Sequence, residues 1–192
     1  MTTSQDRATA RTRAIMQATL ALAQEAGYTK LSIEAVAARA GVGKHTIYRR
    51  WPSKGLLFLD SLLSLNEPVL DYPDTGDIVA DLRRQIHAAV DLLANPPWGP
   101  LFQALVGEAQ YDPMVASGLN ERFIRPQEDK TVARLRAAKE HGQISPDLDL
   151  DLAMAILSGP PYFKLLITQE PLTHDYVDRL VEVLLAGMKP RT

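Results

Sequence analysis

The residues with the most chemical potential stand together. Gly41-Val42-Gly43 is followed by Lys44, His45, Thr46, Tyr48, Arg49 and Arg50, a run of cations, hydroxyls and one imidazole. Such side chains suit phosphate oxygens and base edges and are poor choices for a core. A nucleotide phosphate loop is the competing chemistry, and it fails in detail. That pattern needs a glycine where Ala38 stands and Ser or Thr where His45 stands. Ser158-Gly159 lacks the preceding Gly-x of a nucleophile elbow. No carboxylate pair stands apart from the acidic faces, so no catalytic residue is assigned and an enzyme is not expected.

Other chemistry is excluded by composition. The chain has no cysteine, which removes disulfides, thiolate catalysis, zinc fingers and iron–sulfur clusters. His45, His87, His141 and His174 lie far apart in sequence, without a second ligand-type residue at a usual metal spacing. Neither a metal nor a cofactor is expected.

The basic run needs elements to hold it. Strand signals are nearly absent, aromatic residues make up only 6%, and helical periodicity is widespread, so an all-α fold of about nine helices is expected. The first helix is read over about 11–26, with Ile15, Ala18, Leu22 and Ala26 facing inward and Gly27 ending it. Ser32 caps a second over 33–40, Gly41 ends that one, and a third covers 44–50. Pro52 breaks the chain and Ser53 caps a fourth over 54–65, followed by a loop with Pro68, Pro73 and Gly76. Further helices are read over 78–93 and 100–109, over 114–141 with an interruption at Pro126, over 150–168 with a kink at Gly159–Pro161, and over 174–188.

The segment 31–50 reads as a helix-turn-helix. Ala37 keeps the helix crossing close, Gly41 supplies the left-handed turn, and Val36, Ala40, Val42 and Ile47 fill the angle between the helices. An ordinary helical hairpin has the same spacing; charge separates the two readings. The formal net charge is only −2, but residues 1–54 hold nine basic and three acidic residues, a formal +6, leaving −8 for the rest. A basic head on an acidic body fits a DNA-binding module joined to a domain that stays off the DNA.

The run from Gly41 through Lys54, with Trp51, Pro52 and Ser53 inside it, resembles the signature of tetracycline-repressor-type (TetR) transcriptional regulators. The resemblance extends back through Ala18, Ala26, Gly27, Tyr28 and Ser32. Gly159-Pro160-Pro161-Tyr162 and Glu170-Pro171-Leu172 resemble C-terminal domains of an actinobacterial-type branch. It implies an N-terminal three-helix DNA-binding domain over 9–69 and a C-terminal helical ligand-binding and dimerisation domain over 70–192. It also implies a homodimer on double-stranded DNA, at a palindromic operator, released by a small-molecule effector. By position, Tyr48 and Lys54 would hold phosphates, Lys44 and Thr46 would face phosphate or base edges, Ser32 would meet the backbone, and His45 and Arg49 would read bases. Glu34 stands where some relatives carry a base-reading arginine, so it would accept from a cytosine or point away. Open alternatives are a ligand-independent regulator or activator of the same fold, and a helical ligand-binding or adaptor protein. Arg7, Arg11 and Arg13 would add phosphate contacts, form a minor-groove arm, or lie in a solvated tail. Trp51 is expected to pack between the third and first helices rather than stack on a base.

Phe58, Leu62, Trp98, Phe102, Leu105, Tyr111, Met114 and Phe163 are the candidate lining of a ligand pocket, or plain core. With no cluster of buried charge evident, an apolar or mildly polar ligand is expected. Phe123 shares the first description. Ile156, Leu165, Val177, Leu180, Val181 and Leu184 on the last two helices form rows that suit a dimer interface, or burial within one subunit. The greasiest stretch, 152–167, is broken by Gly159, Pro160, Pro161 and Lys164, and the N-terminus lacks a signal-peptide core. A cytoplasmic protein without a membrane partner is expected.

Overall fold

A computed structural model of the chain describes residues 4–65 and 73–188. Ten α-helices and no strand occur among the described residues: α1 Ser4–Ala26, α2 Ile33–Ala40, α3 Lys44–Tyr48, α4 Lys54–Leu63, α5 Ile78–Ala94, α6 Trp98–Ala109, α7 Pro113–Leu119, α8 Arg125–Glu140, α9 Leu150–Tyr162 and α10 His174–Met188. The 114–141 segment is two helices, α7 and α8, joined by π-helical turns at Asn120–Ile124. Helix α1 begins seven residues earlier than periodicity indicated. Pro68 and the 69/70 boundary lie outside the described residues.

Compactness does not follow the linear order. Helices α1–α4 group with α6 and α7, while α5, α8, α9 and α10 form a second unit. The physical reason for the first grouping is glycine. A Cβ at Gly55 would meet Val115 Cγ2 at 2.6 Å, and one at Gly118 would meet Leu59 Cδ2 at 2.6 Å. Those two positions let α4 and α7 approach closely over a buried floor of Leu57, Phe58, Leu59 and Leu62. Trp98, Phe102 and Phe123 complete this core, their ring centroids 5.0–5.6 Å apart, within the range in which aromatic pairs add to plain burial.

The inward face of α1 differs in part from the expected stripe. Ile15, Ala18, Thr19 and Ala23 are buried, Leu22 is half-buried and Ala26, the last helical residue, is exposed. Gly27 does terminate it, at φ 80° and ψ 157°, a combination open only to glycine.

The second unit packs α5, α8, α9 and α10 around Leu82, Ile86, Leu135, Leu157, Val177 and Val181. Asp77 and Asp149 cap α5 and α9, each accepting from two first-turn amides. Buried charge is present here, contrary to expectation. Arg134 Nε donates to Asp81 Oδ2 at 2.8 Å, and Thr75 Oγ1 donates to Asp81 Oδ1 at 2.7 Å. Burial works to raise the Asp81 pKa, but the bonds from Thr75 and Arg134 outweigh it and hold the carboxyl below the usual range.

Two further expectations are corrected by this unit. His87 and His174 do not lie apart: their rings stack at 4.1 Å, and each Nε2 meets a carboxylate, Asp178 at 3.0 Å and Asp91 at 2.8 Å. Among the described residues no group of three or more His, Asp or Glu is placed to hold a metal. The stretch 150–168 is not broken either. Helix α9 carries Pro160 and Pro161 in its interior and passes directly into π-helical turns at Phe163–Thr168. The prolines remove the amides that Ile156 and Leu157 carbonyls would accept, and a π-turn is a usual accommodation nearby. At 19 residues and a mean hydropathy of 1.3 this continuous helix is long and apolar enough to cross a membrane by length and composition, with only 17% of it buried.

Candidate nucleic-acid interface

The helix-turn-helix is built by local chemistry. The Ser32 hydroxyl accepts from Ala35 N at 3.2 Å and starts α2, a cap worth about 1 kcal/mol. At its far end Gly41 adopts φ 65° and ψ 37°, so that Val42 N reaches Ala37 O at 3.0 Å and Gly41 N reaches Ala38 O at 3.3 Å. Val36 and Ile47 are fully buried in the angle, and Ala37 is buried at the crossing. Ala40 and Val42 are only half-buried. Arg39 clasps Glu25 through two bonds of 2.7 Å and ties α2 to α1.

With Ile47 turned inward, Lys44, His45, Tyr48, Arg49 and Arg50 are left exposed, Tyr48 at 50% of its surface. Thr46 is half-buried. Helix α3 ends at Tyr48 rather than Arg50. Arg49 N and Trp51 N still return to His45 O and Ile47 O, which keeps the next turn tight.

Several of these side chains already have partners. Lys44 Nζ donates to Glu34 Oε1 at 3.0 Å, and this bond holds the Glu34 carboxyl below its ordinary pKa. Glu34 is thus paired with a cation of the recognition segment, a contact that neither expected role foresaw. Arg50 Nη1 donates to Thr12 Oγ1 at 3.0 Å and lies 5.2 Å over the Trp51 ring. Lys54 Nζ sits 4.2 Å from the centre of the Tyr28 ring and donates to Tyr28 O at 3.4 Å. Burial, and then the Glu108 carboxylate, push the Tyr28 phenol well up. Ser32 serves as a cap and is half-buried. The Arg7 side chain lies outside the described residues.

Trp51 is 2% exposed, so it is no stacking platform. Its indole N–H donates to Asp60 Oδ2 at 2.7 Å, on α4 rather than α1. Asp60 Oδ1 accepts from Arg122 at 2.6 Å. Asp60 and Thr12 are residues that sequence reasoning left without a role. Their only signal was a small polar group on the inward side of a helix.

The candidate pocket residues divide. Phe58, Leu62, Trp98, Phe102 and Leu105 are buried together in the first unit, with the Trp98 indole N–H lacking an acceptor. Tyr111 (88% exposed), Met114 and Phe163 (58% exposed) are on the surface. Of the candidate dimer residues, Leu165, Val177 and Val181 are buried within their own subunit, Leu180 and Leu184 are half-buried, and Ile156 is exposed. The exposed apolar side chains on α9 and its π-helical extension are Leu152, Ile156, Phe163 and Ile167. Their spacing of four, seven and four puts them on one face.

Comparison with known proteins matches residues 15–60 to the family of bacterial regulatory proteins of the tetR type. Residues 72–184 match the tetracyclin repressor-like C-terminal domain. The chain is 29% identical over 177 residues to the HTH-type transcriptional regulator YdeS of Bacillus subtilis, covering 92% of this chain and 89% of that one. It is 28% identical over 190 residues to the DNA-binding transcriptional repressor TetR of Mycobacteroides abscessus, covering 94% and 95%. The crystal structure of the TetR family transcription regulator SCO0332 superposes with a TM-score of 0.74 at 38% identity, over 94% of this chain and all of that one.

Proposed function

The chain belongs to the TetR family and is a DNA-binding transcriptional regulator, not an enzyme; from that premise we propose that it is a homodimeric repressor which leaves a palindromic operator when a small molecule binds. The observation that carries this reading is the short α3, set between the serine-capped α2 and α4, whose buried Ile47 leaves Lys44, His45, Tyr48, Arg49 and Arg50 exposed on a head of formal charge +6. In this reading residues 9–69 meet DNA in the cytoplasm, and residues 70–192 sense the effector and pair the subunits. His45 and Lys44, on the first turn of α3, enter the major groove. Thr46, Tyr48, Arg50, Lys54 and the Ser32 end of α2 address the backbone, and Arg49, expected on a base, is assigned with them because it lines one cleft with Arg11 and Arg50.

The dimer face is the row Leu152, Ile156, Phe163 and Ile167, joined by exposed Val183 on α10. An exposed apolar row of this length calls for a partner, and a second copy presents the same row about a two-fold axis. The effector site draws on the buried aromatic group around Trp98 and Phe102, where the unsatisfied indole N–H of Trp98 offers a donor to a ligand acceptor. An effector that prefers the released form weakens DNA binding by the same coupling energy.

Selection of duplexes from a random pool by the full chain tests the reading. An enriched inverted repeat with half-sites about one helical turn apart is expected. Failure to enrich any sequence would sink it.

A further inference from the structure

Helix α1, the C-terminal end of α3 and Trp51 enclose a cleft of about 220 Å³. Its walls include Arg11, Thr12, Thr46, Arg49, Arg50 and Trp51, and none of its lining residues is acidic. We propose that this cleft is a seat for one backbone phosphate of DNA flanking the half-site, held by Arg11 together with Arg49 and Arg50. The inference rests on the DNA-binding reading and adds to it a contact made by α1, away from the recognition turn.

Three observations favour an anion here. Two cations of the head are matched internally by carboxylates, Arg39 by Glu25 and Lys44 by Glu34. No such match joins Arg11 or Arg49 to a carboxylate among the described residues, so three arginines line one hollow that has no acidic residue in its lining. Arg50 is already aimed. Thr12 Oγ1 donates to Ala8 O at 3.0 Å and so turns a lone pair toward Arg50 Nη1, while the Trp51 face supports the guanidinium plane. Holding it there in advance lowers the ordering cost of binding. Finally, Ile15 and Trp51 give the cleft a buried apolar floor, which strengthens attraction between the walls and an entering anion.

Phosphodiester is the favoured occupant because guanidinium forks match its two free oxygens. Of the turns that α1 has beyond the expected 11–26, Ala8 joins the lining, and its carbonyl takes the Thr12 hydroxyl.

The test uses the full chain, a duplex that it selects from a random pool, and Arg11→Gln. One phosphate contact contributes about 0.9 to the slope of log K against log salt. Arg11→Gln is therefore expected to lower that slope by about 0.9 for each head bound, which is about eightfold in affinity per head at 0.1 M salt, fading toward 1 M. The selected sequence should stay the same. Thr12→Val, which unties Arg50 but keeps every charge, should give a smaller loss at unchanged slope. A scan with single neutral methylphosphonates should find one flanking position that weakens wild type more than it weakens Arg11→Gln. Unchanged affinity and slope in Arg11→Gln, with wild type binding its duplex, overturns the cleft assignment alone. Saturation of the cleft by inorganic phosphate alone at submillimolar concentration, followed through the Thr12 and Thr46 amide resonances, also overturns it in favour of a small-anion site. If wild type selects no duplex, the DNA-binding reading falls and this inference with it.

Discussion

The indole N–H of Trp51 donates to Asp60 Oδ2 at 2.7 Å, and this bond fixes the end of the recognition segment to α4. Asp60 is shared, since its other oxygen accepts from Arg122 in the π-helical turns after α7. One carboxylate thus sets the relation of α3 to α4 and of α4 to the end of α7.

Trp51→Phe keeps the ring's burial and deletes that donor. Asp60 retains Arg122, so no charge is orphaned. A loss of about 1.5–3 kcal/mol is expected for a bond to a charged acceptor, read as a lower urea midpoint. Operator affinity should fall further than stability alone explains, because the recognition turn loses its anchor. An unchanged midpoint would show that the bond carries no weight.

Glycine at position 55 is required by space. Gly55→Ala places a methyl 2.6 Å from Val115 Cγ2 and 3.2 Å from Glu108 Cγ, at a cost of about 1–3 kcal/mol for overpacking. Gly43→Ala, with nothing within 4 Å of the added carbon, is the control and should unfold near the wild-type midpoint. Equal midpoints for the two variants would contradict the close approach of α4 and α7.

The buried pair in the second unit makes stability depend on acid. The Asp81 carboxyl titrates below its unfolded value near 3.8. Its stabilisation is therefore present above that value and lost as pH falls through the lower folded one. Asp81→Asn leaves the buried Arg134 with only the longer, exposed contact to Asp74 at 3.5 Å and should cost about 3 kcal/mol at neutral pH. Denaturant melts from pH 7 to pH 3 should show the gap between wild type and variant closing at the acid end. A constant gap would rule out this pair as the cause.

Glu34 competes with phosphate for Lys44. Glu34→Gln removes that competition, and affinity for duplex of random sequence should rise a few-fold, most at low salt. Fluorescence anisotropy against a salt series reads this directly. Weaker binding would mean that the carboxylate itself contacts DNA.

Phe163 is exposed in the isolated subunit, so Phe163→Glu should fold with unchanged helicity. If the α9 row pairs two subunits, the variant should sediment as a monomer while wild type does not. A variant that remains dimeric would put the interface elsewhere.

Legibility in the sequence followed the range of the interactions. Ser32, Gly41, Ser53 and the burial of Ile47 act within a few residues, and each was readable from spacing. Contacts across long separations were not readable. Nothing local to Asp60 announces a bond to Arg122 62 residues away, nor does anything near His87 announce a ring at His174. The α9 prolines misled for a different reason. Local rules treat proline as a breaker, but the helix absorbs both by widening into π-turns one step later. The lysine partners were missed because spacing places Lys44 on the right face without saying that Glu34 reaches it first.

The interleaving of the two compact units bears on how the chain comes off the ribosome. Helices α1–α4 emerge first, yet α6 and α7, which cover Leu57, Phe58 and Leu59, arrive only after α5 has been made. The head therefore waits, with an apolar flank uncovered, for about fifty further residues of synthesis, several seconds at ordinary translation speeds. A fragment ending after α4 would inherit that bare flank permanently. The protein is thus a poor donor of a free-standing DNA-binding module.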